Sequence, residues 1–356
     1  MNKLDALPPR YPVNGTFELT LRCNLHCKMC MFRHADSENP QLLAGELTAE
    51  QWIHMAKQAF DAGTLNLLLT GGEPMLRKDF CEIYEGIYKT GFLLTLYTNA
   101  TLVTPEIMAV LKKYPPHRIG VTLYGASNAT YEKVTGCADG FDRTMEGITQ
   151  LATLPSVLDF RMTLIKDSVQ DADAIGELLR EKFGKQVTHT EKVFGSVRGG
   201  CCQPEICRLS PEENWELTYG RIIRRIKENL PPELEGCVRL RQEKQECRQE
   251  KTRYTLMGCS AGMDSYTITW DGKLLGCQIL GNFWTDATVD FLEAWEQYPY
   301  RVQLPEENPT CASCAQRQMC VICPAVRMAE CKNLKDIPPY ICESTQLLQK
   351  LKGGVL

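Results

Sequence analysis

From Thr16 to about Val193 the chain alternates short apolar runs with helical stretches, and this alternation constrains the fold more than any other feature. The runs are Thr16–Leu21, Leu65–Thr70, Leu93–Tyr97, Arg118–Leu123, Leu158–Leu164 and Gln186–Val193. The stretches between them carry helix punctuation. Thr48 and Gln51 form a capping-box pattern ahead of Trp52–Ala62, which Gly63 closes. Asp79–Thr90 ends at Gly91, and Pro105 occupies a first helical turn before Glu106–Tyr114. Gly140–Leu154 and Asp171–Phe183 supply the later crossovers. Near-continuous apolar strands, each followed by a helix, predict an α/β fold with a parallel sheet covered by helices. Six units fall short of eight. The expectation is therefore a partial (β/α)6 TIM-like barrel over residues 1–195, with its chemistry at the carboxyl ends of the strands.

Residues 196–250 break the alternation and read as a linker. They hold Gly199-Gly200, then a helix start at Ser210-Pro211-Glu212-Glu213 that runs to about Asn229, before Pro231-Pro232. Residues 251–356 are short-patterned and rich in cysteine, which predicts a small α+β domain. Within them Ser265–Gln278 reads as a hairpin with Asp271-Gly272 as a two-residue turn.

The balance of 40 basic and 44 acidic side chains gives −4, so no cationic field recruits nucleic acid or an anionic membrane. Met1–Gly15 lacks a signal-peptide core, and no run approaches the roughly 18 apolar residues that span a bilayer. Against that plain background stand 18 Cys and only 5 His. A chain of 356 residues needs no disulfide staples, so reduced cytoplasmic thiols, many of them metal ligands, are expected.

Straight after the first strand comes Cys23-x3-Cys27-x2-Cys30. Three thiolates within eight residues at a strand's carboxyl end can wrap one face of a cubic [4Fe–4S] cluster. No fourth cysteine lies close by, so one iron would stay open to an exogenous ligand. The competing reading is a zinc site completed by His26 or His34, although zinc more often uses paired C-x2-C knuckles. After the second strand comes Thr70-Gly71-Gly72-Glu73-Pro74. Its glycines suit a close backbone approach to a ligand, Glu73 suits an ammonium group, and Pro74 stiffens the exit. Thr98-Asn99 and Thr122 place polar groups on the same rim, where Thr98-Asn99 would either meet a bound molecule or simply close the turn.

The cysteine triplet and the Gly-Gly-Glu-Pro motif together resemble the radical S-adenosylmethionine (radical SAM) superfamily. The resemblance implies that Cys23, Cys27 and Cys30 hold a [4Fe–4S] cluster whose open iron chelates S-adenosylmethionine. Gly71, Gly72 and Glu73 would contact the methionine amino group, and Thr122 the ribose or methionine end. One-electron cleavage of the cofactor would give a 5′-deoxyadenosyl radical that abstracts a substrate hydrogen, with flavodoxin or ferredoxin as external electron donor. Two positions depart from the common pattern. Met29 stands where an aromatic residue usually precedes the third cysteine, and Tyr124 where an acid usually follows the fourth strand.

Downstream, Cys311-x2-Cys314-x5-Cys320-x2-Cys323-Pro324 precedes Cys331 and Cys342. Spacing alone does not separate zinc from iron–sulfur there. The arrangement resembles the SPASM extension of peptide-modifying radical enzymes, which implies two auxiliary [4Fe–4S] clusters and three in all. By that resemblance Cys259, Cys277 and Cys323 ligate the first auxiliary cluster, with Cys247 the preferred fourth ligand, Cys237 the next and an open site for substrate the third alternative. Cys311, Cys314, Cys320 and Cys342 hold the second. Of the remaining cysteines, Cys201, Cys202 and Cys207 read as exposed linker thiols, and Arg161 as a solvated strand-edge residue.

The resemblance implies an enzyme that crosslinks a ribosomally made peptide through a thioether or carbon–carbon bond, or otherwise oxidises it. Peptide epimerisation and small-molecule modification are the alternatives. A non-catalytic electron-transfer or zinc-binding protein is the alternative from another class. Fifteen residues precede the first strand, so peptide recognition is expected from the carboxyl-terminal domain or a separate protein.

Overall fold

A computed structural model describes residues 7–31, 40–190, 193–195, 198, 204–217 and 256–355. Nine strands among them form one sheet in the order β6-β5-β4-β3-β2-β1-β7-β8-β9. β1 (Asn14–Glu18), β2 (Asn66–Thr70), β3 (Leu93–Thr98), β4 (Arg118–Leu123), β5 (Val157–Met162) and β6 (Val187–Thr190) pair in parallel, each with its sequence neighbour. This is the α/β partial barrel that the six-fold alternation predicts.

The crossovers are α1 (Ala49–Asp61), α2 (Phe80–Tyr88), α3 (Pro105–Lys113), α4 (Asn128–Thr135), α5 (Gly140–Leu151) and α6 (Ala172–Phe183). The Thr48–Gln51 capping box is formed, and Gly63 follows that helix with φ +104°. Helix α4 is additional to the expected set. Its eight residues include two threonines and an asparagine, poor helix formers, and it depends on the Ser127 cap.

Strand alternation sends successive side chains to opposite faces. The Phe17 ring meets Trp52 of α1 at 5.0 Å, and Phe160 meets Phe183 of α6 at 5.7 Å, so their rows face the helices. Leu67, Leu69, Leu94, Leu96, Ile119, Val121 and Leu158 complete that buried layer. Each such side chain contributes about 1.5–3 kcal/mol by leaving water. The opposite row is mostly polar: Thr16, Glu18, Thr70, Thr95, Tyr97, Thr122, Asp159 and Arg161, with Leu68 among them, alternate with the buried layer and lie on the concave face. Gly120 belongs to that row because a Cβ there would stand 2.6 Å from the Tyr97 ring.

β7 (Ser265–Ile268) pairs in parallel with β1, and β8 (Lys273–Leu275) and β9 (Thr285–Asp286) follow antiparallel. Register joins Thr267 to Leu275 and Ile268 to Leu274, and Thr269 N donates to Lys273 O at 2.9 Å. The turn is therefore the three-residue Trp270-Asp271-Gly272, with Gly272 at φ +84°, rather than the expected two-residue turn.

Packing divides the chain into two units. The first spans 10–208 and continues through 261–303, including α7 (Phe291–Arg301), because β7 hydrogen-bonds to β1. The unit borders thus differ from the 195 and 251 borders expected from sequence. The described part of the second unit comprises 7–9, 209–217, 256–260 and 304–355. It contains a short helix Pro211–Trp215 with the Ser210–Glu213 capping box, another at Pro309–Ala312, and α8 (Pro324–Cys331) and α9 (Pro339–Val355). Among the described residues no helix is long and apolar enough to cross a membrane.

Candidate metal centre

Beyond β1 the chain passes Thr20 and Arg22 into the cysteine triplet. Cys27 packs with Leu25, Met29, Val134 and Ile165, and half-buried Cys23 and Cys30 pack against the same cluster. Two backbone bonds fasten this loop to the end of α4: His26 N to Thr135 O at 2.7 Å and Lys28 N to Val134 O at 3.0 Å. Cys23 Sγ accepts hydrogen bonds from Leu25 N at 3.4 Å and Asn99 Nδ2 at 3.8 Å. Donors aimed at a sulfur favour its thiolate, the form that binds metal. Burial first, then the Glu73 charge, pushes the Cys23 thiol up to about 12, so a metal binding there must expel a proton. The donor set of three clustered sulfurs fits a [4Fe–4S] cluster with one open iron.

The two glycines after β2 serve a purpose that the sequence does not reveal. Gly72 N donates to Thr20 O and Glu73 N to Arg22 O, both at 2.8 Å. A Cβ on Gly71 would stand 2.6 Å from Thr20 O, and one on Gly72 2.2 Å from Arg22 O. The close approach is therefore backbone to backbone, laying the exit of β2 along the segment that leads to Cys23. Pro74 then opens a buried single turn, Pro74–Leu76.

Glu73 is completely buried. Its Oε1 accepts from Met75 N at 3.0 Å and Thr98 Oγ1 at 2.9 Å, and its Oε2 from Asn99 N at 2.7 Å. A carboxylate has about four acceptor directions, so roughly one remains for an ammonium group. Burial outweighs these bonds and pushes Glu73 up to about 7.

Asn99 does more than close a turn. Its Oδ1 accepts from Thr101 N at 2.9 Å and Thr101 Oγ1 at 2.6 Å, while its Nδ2 donates to Asn24 Oδ1 at 3.0 Å. Asn24, directly after the first cysteine, is a site residue to which the cysteine spacing does not point; an amide inside a ligand array is the available signal. Ala100 sits at φ +60°, and Gly147 of α5 admits its carbonyl, since a Cβ there would approach to 1.9 Å.

Thr122 is half-buried on the concave row, in register with Arg161. Arg161 is not a solvated edge residue. β5 is an interior strand, and the guanidinium lies 4.2 Å over the Tyr97 ring and bonds its hydroxyl. On β1, Glu18 of the same row pairs with Arg198 at 2.6 Å and accepts from Gln278 Nε2 at 3.2 Å. Tyr124 packs against the cysteine cluster with its ring 5.9 Å from Tyr131, edge-on. Cys207 is buried in the cluster with Cys27, contrary to the exposed thiol expected, because its carbonyl takes Lys166 N at 3.0 Å beyond β5. His26 is exposed. His34, Cys201, Cys202, Cys237 and Cys247 lie outside the described residues.

In the second unit, Cys320, Cys311 and Cys314 lie within electrostatic reach of the Cys342 thiol. Burial is the larger influence and raises Cys342. Cys323 caps α8, its Sγ accepting from Val326 N at 3.5 Å, and it lies within electrostatic reach of Cys259. Cys277 lies in the first unit, just past β8. Among the described residues no three His, Cys, Asp or Glu side chains stand close enough to hold a single metal ion.

Residues 17–179 match the family model described as the radical SAM superfamily. This chain carries a radical SAM domain. The matched segment holds Cys23, Cys27, Cys30, Gly71, Gly72, Glu73, Pro74, Thr98, Asn99 and Thr122, and it ends before the second cysteine field. Over 346 residues the chain is 28% identical to an AdoMet-dependent heme synthase of Methanosarcina barkeri, covering 91% of this chain and 94% of that protein. Its fold is similar to that of SuiB from Streptococcus suis bound to its precursor peptide SuiA, with TM-score 0.68 and 16% identity over 94% of this chain and 76% of that one. It is also similar to anSMEcpe with bound AdoMet, with TM-score 0.65 and 13% identity over 97% and 98% of the two chains.

Proposed function

We propose that the radical SAM domain binds its cluster through Cys23, Cys27 and Cys30 and modifies a peptide by removing a hydrogen atom. The observation that carries this reading is the junction of three strand exits at the triplet: β1 supplies the cysteines, β2 supplies Glu73, and β3 supplies Asn99 on Cys23 Sγ. Bound there, cluster and S-adenosylmethionine supply a 5′-deoxyadenosyl radical. The protein's own residues orient and enclose. Glu73 has about one acceptor direction for the methionine ammonium, Gly71 and Gly72 hold the β2 exit against the cysteine loop, and Pro74 fixes the turn beyond. Thr98 acts through Glu73, Asn99 acts on Cys23, and Thr122 offers a hydroxyl to the cofactor from the concave row.

The polar concave row suits a substrate rich in hydrogen-bonding groups, which favours a peptide. SuiB and anSMEcpe share the fold, and SuiB has been seen with a precursor peptide. Cys311, Cys314, Cys320 and Cys342 would hold an auxiliary [4Fe–4S] cluster, and Cys259 with Cys323 would contribute to a further one. Such clusters would accept the second electron that an oxidative crosslink releases. An external flavodoxin or ferredoxin would supply reducing electrons, and a separate protein would present the peptide.

A second reading, modification of a porphyrin, is favoured by the similarity to a heme synthase along nearly the whole chain. Incubating the reduced, cluster-loaded protein with precursor peptides and, in parallel, with porphyrin precursors decides between them by mass spectrometry. A peptide that loses two hydrogens supports crosslinking, and an unchanged mass with solvent deuterium incorporated supports epimerisation. Turnover of the porphyrin alone would refute the peptide reading.

A further inference from the structure

The second unit buries a cation beside its converging cysteines. Arg327 on α8 is only 8% exposed. Its Nη1 donates to Lys335 O at 2.8 Å and Asp336 O at 3.1 Å, and its Nη2 to Cys311 Sγ at 3.6 Å. Asp336 gives it a carbonyl and not its carboxylate, since Asp336 Oδ2 takes Asn333 Nδ2 at 2.8 Å. Among the described residues no Asp or Glu forms an ion pair with Arg327. A guanidinium stays charged in proteins, and a buried charge without a counter-charge is strongly destabilising. Two carbonyls orient the group but do not neutralise it. The anion it faces is Cys311, once metal converts that thiol to a thiolate, and both Cys311 and Arg327 lie within electrostatic reach of Cys342.

We propose that Arg327 is a built-in countercation for the metal centre of Cys311, Cys314, Cys320 and Cys342, and that it raises the reduction potential of an iron–sulfur cluster there. The proposal rests on the reading that these four cysteines bind such a cluster. Each added electron makes a four-thiolate cluster more negative, so a fixed positive charge and a hydrogen bond to a ligand sulfur stabilise the reduced state more than the oxidised one. The carbonyls of Lys335 and Asp336 keep the fork aimed at sulfur, which makes Arg327 a positioned charge rather than a chance neighbour. Nothing in the cysteine spacing points to it, because it lies between Cys323 and Cys331 in an otherwise ordinary helix.

The test uses the full-length chain, loaded anaerobically, with Cys23, Cys27 and Cys30 replaced by Ala so that only auxiliary clusters contribute. Potentiometric titration followed by electron paramagnetic resonance then compares Arg327, Arg327→Lys and Arg327→Gln. The expected result is a lower midpoint for one auxiliary signal in R327Q, with R327K close to the parent. Loss of about four iron and four sulfide in R327Q but not in R327K supports the same role. An unchanged midpoint in fully loaded R327Q would overturn it, and so would equal loss from R327K and R327Q, which marks a purely structural clamp. A parent with no auxiliary iron–sulfur signal would overturn the cluster reading itself.

Discussion

The backbone N–H of Asn99 donates to Glu73 Oε2 at 2.7 Å, tying the exit of β3 to the exit of β2 in a fully buried setting. The same carboxylate also takes Met75 N and Thr98 Oγ1, so it faces only donors. In Glu73→Gln the amide NH2 must face one of them. The expected cost is about 1–3 kcal/mol in urea unfolding, with weaker S-adenosylmethionine binding.

The titration of Glu73 gives this variant a second signature. Burial lifts Glu73 from 4.5 to about 7, so its neutral form is favoured in the folded protein. The resulting stability is fully present below the ordinary value and is lost as pH rises to about 7. Metal-free protein should therefore lose stability across that window, and E73Q should show a flatter profile.

Gly72→Ala tests the backbone contact that places the cysteine loop. Its Cβ would meet Arg22 O at 2.2 Å, and a carbonyl in a hydrogen-bonded segment cannot swing aside. A loss of roughly 1–3 kcal/mol and lowered iron content are expected. Gly176→Ala is the control, since nothing lies within 4 Å of its Cβ and helix propensity predicts a gain of up to about 1 kcal/mol.

Much of this site was legible before the structure. The strand–helix alternation placed Cys23, Cys27, Cys30 and Glu73 at neighbouring strand exits, because a parallel sheet brings those ends together. What the sequence could not show were partnerships across long separations. Arg198 reaches Glu18 across 180 positions, and Arg161 lies over Tyr97 across 64. Whether such an arginine is solvated or turned inward depends on the facing row and not on its own neighbours. The paired glycines point to a close approach by a ligand, whereas the approach in the structure is by the Thr20 and Arg22 backbone, which has no side-chain pattern to recognise. Helix α4 escaped because its cap, and not its composition, stabilises it.

Glu18 and Arg198 form a pair with side chains only 6% and 15% exposed. Glu18→Ala would remove this carboxylate from a largely buried guanidinium, which costs up to about 3–5 kcal/mol. Chemical denaturation should show that loss, and a smaller one for Glu18→Gln, which keeps a hydrogen-bond acceptor.

Metal uptake should depend steeply on pH. With Cys23 pushed up to about 12, binding displaces its proton, so the apparent affinity of metal-free protein for iron supplied with sulfide should rise from pH 6 to 8. Cys23→Ser should flatten the rise, and a pH-independent affinity in the unaltered protein would show that the thiol does not take part.

The most direct test is release of 5′-deoxyadenosine from S-adenosylmethionine by the reduced, cluster-loaded protein, compared with Cys30→Ala. The account predicts release by the unaltered chain and none above background by C30A. Equal release by both would contradict it.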